Sequence, residues 1–254
     1  MDCRIPTSPA AVFGRPLDQP TRDRNKQFIH TLKSVLFDTL FAGATIDRAY
    51  ARFYALETIA RVPYFSYLSV LHLLETLGIW RRAEYLKVHF CESWNELHHL
   101  LIMEELGGSK QWSDRFVAQH IAFVYYWTVV GLYLFNPTHA YNLNQAVEEE
   151  AYETYQAFLH EHAEYLQSQP APLVAQQYYA GDNLYLFDSM HLNRHSDEGA
   201  APVGTETTMS TDRSESSQRR RPAVRTLYDC FVAIRDDEAE HVKTMAFLQE
   251  DSCL

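Results

Sequence analysis

A glutamate followed three residues later by a histidine occurs twice within stretches of helical periodicity, as Glu96-x-x-His99 and Glu238-x-x-His241. Residues three apart lie on one face of a helix, so each pair can grip one metal ion together. Two such helices facing each other, with one more glutamate from each of two further helices, make the di-iron or di-manganese carboxylate site of ferritin-like bundles. The spacing by itself is weak, because a chain with twelve histidines should show roughly one such pair by chance. What discriminates is whether two further glutamates lie on helices in the right order.

They do. Glu57 sits in an apolar helical pattern with Phe53, Leu56, Ile59 and Ala60, and Glu148 heads the run Glu148-Glu149-Glu150-Ala151-Tyr152-Glu153-Thr154-Tyr155. The order along four helices is then Glu, Glu-x-x-His, Glu, Glu-x-x-His, a mixture of carboxylates and imidazoles suited to two oxygen-preferring irons. Apolar rails accompany them: Phe231, Ile234 and Met245 share the face of Glu238 and His241, and Leu100 and Met103 flank that of Glu96 and His99. A charged group on an apolar stripe is costly unless something neutralises it. On local pattern Glu75, in Leu74-Glu75-Thr76, matches Leu56-Glu57-Thr58 and stays a rival for the first position, although its helix runs on into the polar end Trp80-Arg81-Arg82. His160-Glu161-His162 and Asp188-x-x-His191 have metal-like spacing in polar surroundings and read as surface.

Sparse glycine and long helical patterns with few alternating β-branched runs make the class all-α. The expected architecture is a ferritin-like four-helix bundle with a di-iron carboxylate centre and additional interfacial helices. Helical patterns occupy about 25–42, 45–77 with a break at Pro63, 80–106, 112–135, 138–166 and 224–249. Residues 1–24 read as a loose Pro-rich arm without the apolar run of a secretory signal. Pro170-Ala171-Pro172 opens an irregular segment through Asp188, and 192–221 is polar enough to read as a disordered insertion. Residues 25–191 and 222–250 then form a single helical domain. A net charge of −11 argues against a nucleic-acid partner, and the cluster Arg219 to Arg221 reads as solvated linker. Four cysteines (Cys3, Cys91, Cys230, Cys253) without CxxC spacing suggest a reducing compartment.

The most apolar run, Ile121 to Phe135, is shorter than the roughly twenty residues a membrane-spanning helix needs. Phe28, Leu32, Val35, Leu36, Leu40 and Phe41 recur near helical period. That segment could lie in a membrane interface with its apolar face down, or pack on the protein's own core; the pattern leaves both open.

Leu56-Glu57-Thr58, Asn95-Glu96-x-x-His99, Glu148-Glu149-Glu150-Ala151 and Arg235-Asp236-Asp237-Glu238-Ala239-Glu240-His241 together resemble the four signature boxes of the alternative oxidases. The stretch from Tyr85 to Leu106 is similar to the plastoquinol oxidase branch of that family, and Tyr178 to Asp188 to an insertion marking the branch. The resemblance covers roughly residues 45–191 and 222–247. It implies a monotopic membrane protein with two iron ions that oxidises quinol, reduces O2 to water and moves no charge across the membrane. The implied iron ligands are Glu57, Glu96, His99, Glu148, Glu238 and His241, which decides between Glu57 and Glu75. Tyr155 matches a redox-active tyrosine near the irons, and Asp237 an acid that holds a ligand imidazole. Arg52 and Leu56 match positions lining the quinol pocket, while His72 and Tyr133 match positions needed for activity. Plastoquinol as substrate and a thylakoid membrane, in a plastid or a cyanobacterium-like cell, are implied in the same way. An apolar bundle face is compatible with a homodimer. The rival functions are another membrane-associated di-iron enzyme, such as a quinone-ring hydroxylase, and a non-enzymatic protein whose Glu and His are merely solvated.

Overall fold

The computed structural model describes residues 17–180 and 223–251. Nine α-helices follow one another among them: α1 Gln19–Val35, α2 Ile46–Ala60, α3 Val62–Thr76, α4 Ala83–Glu105, α5 Trp112–Phe135, α6 Pro137–Glu161, α7 Ala163–Ser168, α8 Leu173–Ala180 and α9 Leu227–Asp251. A π-helical turn, Leu36–Leu40, extends α1. The four-helix core consists of the α2–α3 pair, α4, α6 and α9. α4 lies along α2 and α3, α6 pairs along its length with α9, and contacts of α2 with α6 and of α4 with α9 close the bundle. α5 packs outside on α2, α3 and α6, and α1 packs outside on α6.

Local chemistry sets the helix ends. The Asp18 side chain accepts the amide of Thr21 and Pro20 occupies the first turn, so α1 starts at Gln19, inside the stretch expected as a loose arm. Thr45 caps α2 in the same manner, and Asn136 with Pro137 opens α6. The expected break near Pro63 falls at Arg61, with Pro63 placed in the first turn of α3, where its missing amide proton costs nothing. α4 ends at Gly107, whose φ of +87° few other residues adopt. A Cβ on Gly108 would lie 2.4 Å from the Tyr50 carbonyl oxygen, so this glycine lets the end of α4 sit against α2.

Two elements differ from expectation. The segment after Pro170 is not wholly irregular: α8 packs on α4, with Tyr178 and Tyr179 buried. Helix α5, Trp112–Phe135, has the expected bounds, but taken whole rather than from Ile121 it is long and apolar enough to cross a membrane. It packs on the bundle, yet only 22 % of its most apolar stretch is buried. The proposed insertion 192–221, Asp188 and His191 lie outside the described residues.

The core has two main parts. One gathers Phe53, Tyr155, Phe158 and Phe231, where Phe53 stacks on Tyr155 with ring centroids 4.4 Å apart. Each of those phenylalanines contributes about 1.5–3 kcal/mol through burial alone. The other is rich in tyrosine, with Tyr64, Tyr67, Tyr85, Tyr133 and Tyr141 packed together between α3, α4, α5 and α6. α1 is tied down by polar contacts: the Asn25 amide donates to Asn142 at 2.8 Å, His30 Nδ1 lies 2.8 Å from Glu150, and Lys33 pairs with the same carboxylate.

Candidate metal centre

Helical periodicity turns Glu57 of α2, Glu96 and His99 of α4, Glu148 of α6, and Glu238 and His241 of α9 into the middle of the bundle. All six are buried. Ligand atoms of Glu57, Glu96, His99 and Glu238 lie within 4.8 Å of one another, and so do those of Glu96, Glu148 and His241. Glu96 belongs to both groups, so its carboxylate would be available to two ions. Glu75 is far from this cluster and pairs with Arg81 at the surface, at 2.9 Å.

Four carboxyl groups converging in a dry interior are unfavourable without a cation. Burial drives Glu96 and Glu238 well above the ordinary carboxylate range, and neighbouring carboxylates push them further. Burial also raises Glu57 and Glu148, partly offset at Glu57 by His99 and at Glu148 by His241. Both oxygens of Glu96 and Glu238, one each of Glu57 and Glu148, and Nδ1 of His99 have no hydrogen-bond partner. Such orphaned acceptors are rare in native interiors. A pair of divalent cations would satisfy all of them at once, and the mixed oxygen and imidazole donor set suits iron or manganese.

Each histidine is held by different neighbours. His99 Nε2 lies 3.3 Å from Oδ2 of Asp237, which puts the ring proton on that side and aims the other nitrogen at Glu238 (3.1 Å) and Glu57 (3.7 Å). Asp237 is itself fixed by donation from the Tyr179 hydroxyl and the Asn95 amide, each at 2.9 Å. His241 Nε2 meets the Asn95 carbonyl oxygen at 2.7 Å, and its Nδ1 faces Glu92 and the Tyr64 hydroxyl (2.9 Å). Burial disfavours charge on His241, but Glu92 and Glu148 together lift its pKa above the usual histidine value. Tyr64 also donates to Glu148 at 2.8 Å, and Tyr155 donates to Oε1 of Glu57.

Glu92, Asn95 and Tyr64 escape a reading based on ligand spacing. The first two were findable: Glu92 lies four residues before Glu96, and Asn95 four before His99, so both share the inward stripe of α4. Nothing local marks Tyr64 apart from its place after Pro63.

An apolar cavity of about 510 Å³ lies between α1, α2, α5 and α6, two of which also carry donors of the cluster. Its wall includes Leu56 and Ile59, which flank Glu57 in sequence, and Val147, which precedes Glu148. Phe28, Leu32, Val124 and other exposed apolar side chains of α1 and α5 surround it. Arg52 does not line it: the guanidinium donates to the backbone carbonyls of Phe41 (3.1 Å) and Gly43 instead. His72 is exposed on α3, and Tyr133 is buried in the tyrosine cluster. His160 and Glu161 are at the surface, as the sequence suggests.

Two relatives align with much of this chain. It is 53 % identical over 214 residues, 84 % of its length, to a protein of Arabidopsis thaliana named Ubiquinol oxidase 4, chloroplastic/chromoplastic. It is 30 % identical over 125 residues, 49 % of its length, to Ubiquinol oxidase 2, mitochondrial, of Glycine max. The matched segments span 54 % and 37 % of those proteins, so the chain covers about half or less of each relative. The family model for the alternative oxidases matches residues 18–250, which takes in all four helices of the cluster, and the chain therefore belongs to the alternative oxidase family.

Proposed function

We propose that this chain is a quinol:oxygen oxidoreductase that oxidises plastoquinol and reduces O2 to water, with two irons held by Glu57, Glu96, His99, Glu148, Glu238 and His241. The observation that carries the reading is that α2 and α6, which contribute Glu57 and Glu148 to a buried six-residue donor cluster, also wall an apolar cavity open among exposed apolar side chains. A lipid-soluble diol has its way in on one side, and a redox centre on the other. The names of the relatives support the quinol class, and the chloroplastic one a plastid setting. Plastoquinol and the thylakoid membrane follow from the resemblance of α4 to that branch.

When bound, the metal pair supplies the binding and reduction of oxygen. The rest belongs to the chain. Two quinols release four electrons and four protons, which match one O2 and two waters. Leu56, Ile59 and Val147 give the cavity an apolar wall beside the helix turns that carry Glu57 and Glu148, and would keep water from a bound quinol. Burial and the Glu57 charge hold the Tyr155 phenol fully protonated, so it keeps its proton on the Glu57 side until an electron is also removed. Asp237 and Asn95 keep both imidazoles oriented. Attachment to the membrane surface would use Phe28, Leu32 and Val35 of α1 with Phe123, Val124 and Trp127 of α5, all exposed around or beside the cavity.

The test is oxygen uptake by purified, iron-loaded protein given a plastoquinol analogue in the presence of cyanide, with iron counted per chain. About two irons and a water-forming stoichiometry are expected. A hydroxylated quinone ring would establish the hydroxylase reading instead, and full activity without metal would end both.

A further inference from the structure

The tyrosine-rich half of the core has a continuity that packing does not demand. It begins at the metal cluster, where the Tyr64 hydroxyl bonds both Glu148 and His241. The Tyr64 and Tyr67 ring centroids are 6.3 Å apart, and Tyr67 lies 4.6 Å from Tyr133 and 5.0 Å from Tyr141. The Tyr133 and Tyr141 hydroxyls are 2.6 Å apart, and that of Tyr141 lies 2.9 Å from Nε2 of His89. Tyr85 is 6.3 Å from His89, and Trp80 is 5.7 Å from Tyr85. The series ends at the α3–α4 connection, where the partly buried Arg82 guanidinium lies 4.4 Å from the Tyr85 ring beside exposed Leu77 and Ile79.

Phenylalanine would fill this volume equally well and would spare the burial of phenolic hydroxyls. Tyrosine and tryptophan differ from it in being the side chains that give up an electron most readily. As a proton wire the series is broken, because the Tyr67 hydroxyl donates to the Ala140 carbonyl and not to a neighbouring phenol. As a path for electrons it needs only proximity, and the span from Tyr67 to Tyr85 is bridged by the His89 ring, 4.9 Å from Tyr67 and 6.3 Å from Tyr85, across which an electron can tunnel without resting. We propose that the Tyr64–Tyr67–Tyr133/Tyr141–Tyr85–Trp80 array carries stray one-electron oxidising equivalents from the metal centre to Trp80, which is 4 % exposed within the α3–α4 connection, where a thiol- or ascorbate-class reductant at the adjoining surface quenches them by tunnelling. This rests on the oxygen-reducing function proposed above, which supplies the oxidant whenever quinol runs short.

The step balances at each ring. One electron moves inward and reduces the centre by one equivalent, while the vacancy moves one ring outward. An oxidised phenol is a strong acid, so its proton shifts along its hydrogen bond, from Tyr141 to His89 for instance, and returns on re-reduction. His89 is kept neutral by burial, with its pKa lowered to about 3, and so has a lone pair available for this. At the outer end the reductant gives up one electron, and two oxidised thiols join as a disulfide. Tyr155 lies on the opposite side of the cluster, against Glu57, and is not part of the array.

The experiment exposes anaerobically iron-loaded protein to oxygen without quinol. Rapid-freeze EPR follows organic radicals, and peptide mass spectrometry locates oxidised Tyr and Trp. In the unmodified protein, oxidation should concentrate at Trp80 and Tyr85 and fall when a thiol is added. In Tyr67→Phe, with iron content unchanged, oxidation at Trp80 should drop several-fold and oxidation at Tyr64 and His241 should rise. Tyr85→Phe, at the outer end, should abolish Trp80 oxidation while a radical persists on the inner tyrosines. Unaltered Trp80 oxidation in both variants, with normal quinol-dependent oxygen uptake, would overturn the array and leave the oxidase reading standing. No oxygen uptake with quinol in the unmodified protein would overturn the oxidase reading and the array with it.

Discussion

The Tyr155 hydroxyl donates to the carboxylate of Glu57 across the interface of α6 and α2, within the aromatic layer of Phe53 and Phe231. The contact is buried completely, and it fixes a phenol beside one of the six donors while leaving the other Glu57 oxygen without a partner. Tyr155→Phe removes one hydroxyl and little volume. It should retain iron and fold normally, at a cost of about 1–3 kcal/mol from a buried carboxylate that loses its donor. Turnover should fall at least about tenfold, equivalent to roughly 1.4 kcal/mol of barrier. Iron analysis and oxygen uptake on the same sample separate the two effects; unchanged turnover would reject a redox part for Tyr155.

The donor cluster opposes the folding of the metal-free chain, and that gives a signature no solvated surface cluster would show. Replacing Glu96 or Glu238 by Gln removes a carboxyl group that burial and like neighbours already disfavour as a charge. At neutral pH the metal-free variants should therefore be as stable as the unmodified protein, or more so, while losing metal. Glu148→Ala should likewise lose metal, whereas Glu75→Ala, at a surface ion pair, should retain it. Adding Fe(II) at about one hundred times its dissociation constant should stabilise the unmodified chain by roughly 2.7 kcal/mol for each ion bound and the variants by much less. Thermal unfolding with and without metal reads both halves of this.

Asp237 touches His99, Asn95 and Tyr179 at once, and Asn95 in turn reaches His241. Through these bonds one carboxylate influences both imidazoles. Asp237→Asn should weaken metal binding by about 10–100-fold, as loss of such an orienting carboxylate does elsewhere. Glu92→Gln, acting on His241 alone, should produce a smaller loss confined to one of the two ions. Titration of the metal-free protein with Co(II), followed in the visible spectrum, would show whether one or both sites weaken.

How much of this was legible from the chain depends on whether a signal is local. The four inward glutamates and two histidines lie on strong 3.6-residue stripes, so periodicity placed them on one side of their helices before any contact was known. Choosing Glu57 over Glu75 was beyond periodicity, because Leu-Glu-Thr occurs in both; the resemblance to the signature boxes made the choice, and the structure pairs Glu75 with Arg81 instead. Arg52 shows the converse limit. Its place at the quinol pocket is implied by the resemblance alone; what no local pattern announces is that its guanidinium donates to the backbone carbonyls of Phe41 and Gly43, just past the π-helical turn. Helix α8 was hidden by Pro170-Ala171-Pro172, which reads as a breaker but here precedes a helix whose first amides are capped by the distant Glu105 carboxylate, at 2.8 Å.

Arg52 accordingly invites a structural test. Arg52→Lys keeps the charge but cannot span two carbonyls with a planar fork. The connection between α1 and α2 should loosen, with a stability loss of about 1–3 kcal/mol and faster proteolysis between residues 36 and 45. Affinity for quinol should change less than turnover does in Tyr155→Phe. A large rise in KM with unchanged proteolysis would show that Arg52 reaches the substrate after all.

The tyrosine cluster carries a dependence on pH through His89, which burial holds neutral with a pKa lowered to about 3 from the ordinary 6.5. For a histidine whose folded pKa is depressed, the unfolded state binds the proton more readily. Its contribution to stability is thus complete above about 6.5 and is lost as the pH falls from there toward 3. The slope should approach roughly 1.4 kcal/mol per pH unit in that window. His89 offers Nε2 to the Tyr141 hydroxyl, and a neutral amide can take over that contact without titrating. His89→Gln should therefore be less stable than the unmodified protein at pH 7 but flatter in its acid response, with the two curves converging as the pH drops. Denaturant unfolding of the metal-free proteins between pH 7 and 4 measures both slopes. Parallel curves would mean that the acid sensitivity of the fold arises elsewhere than at this imidazole.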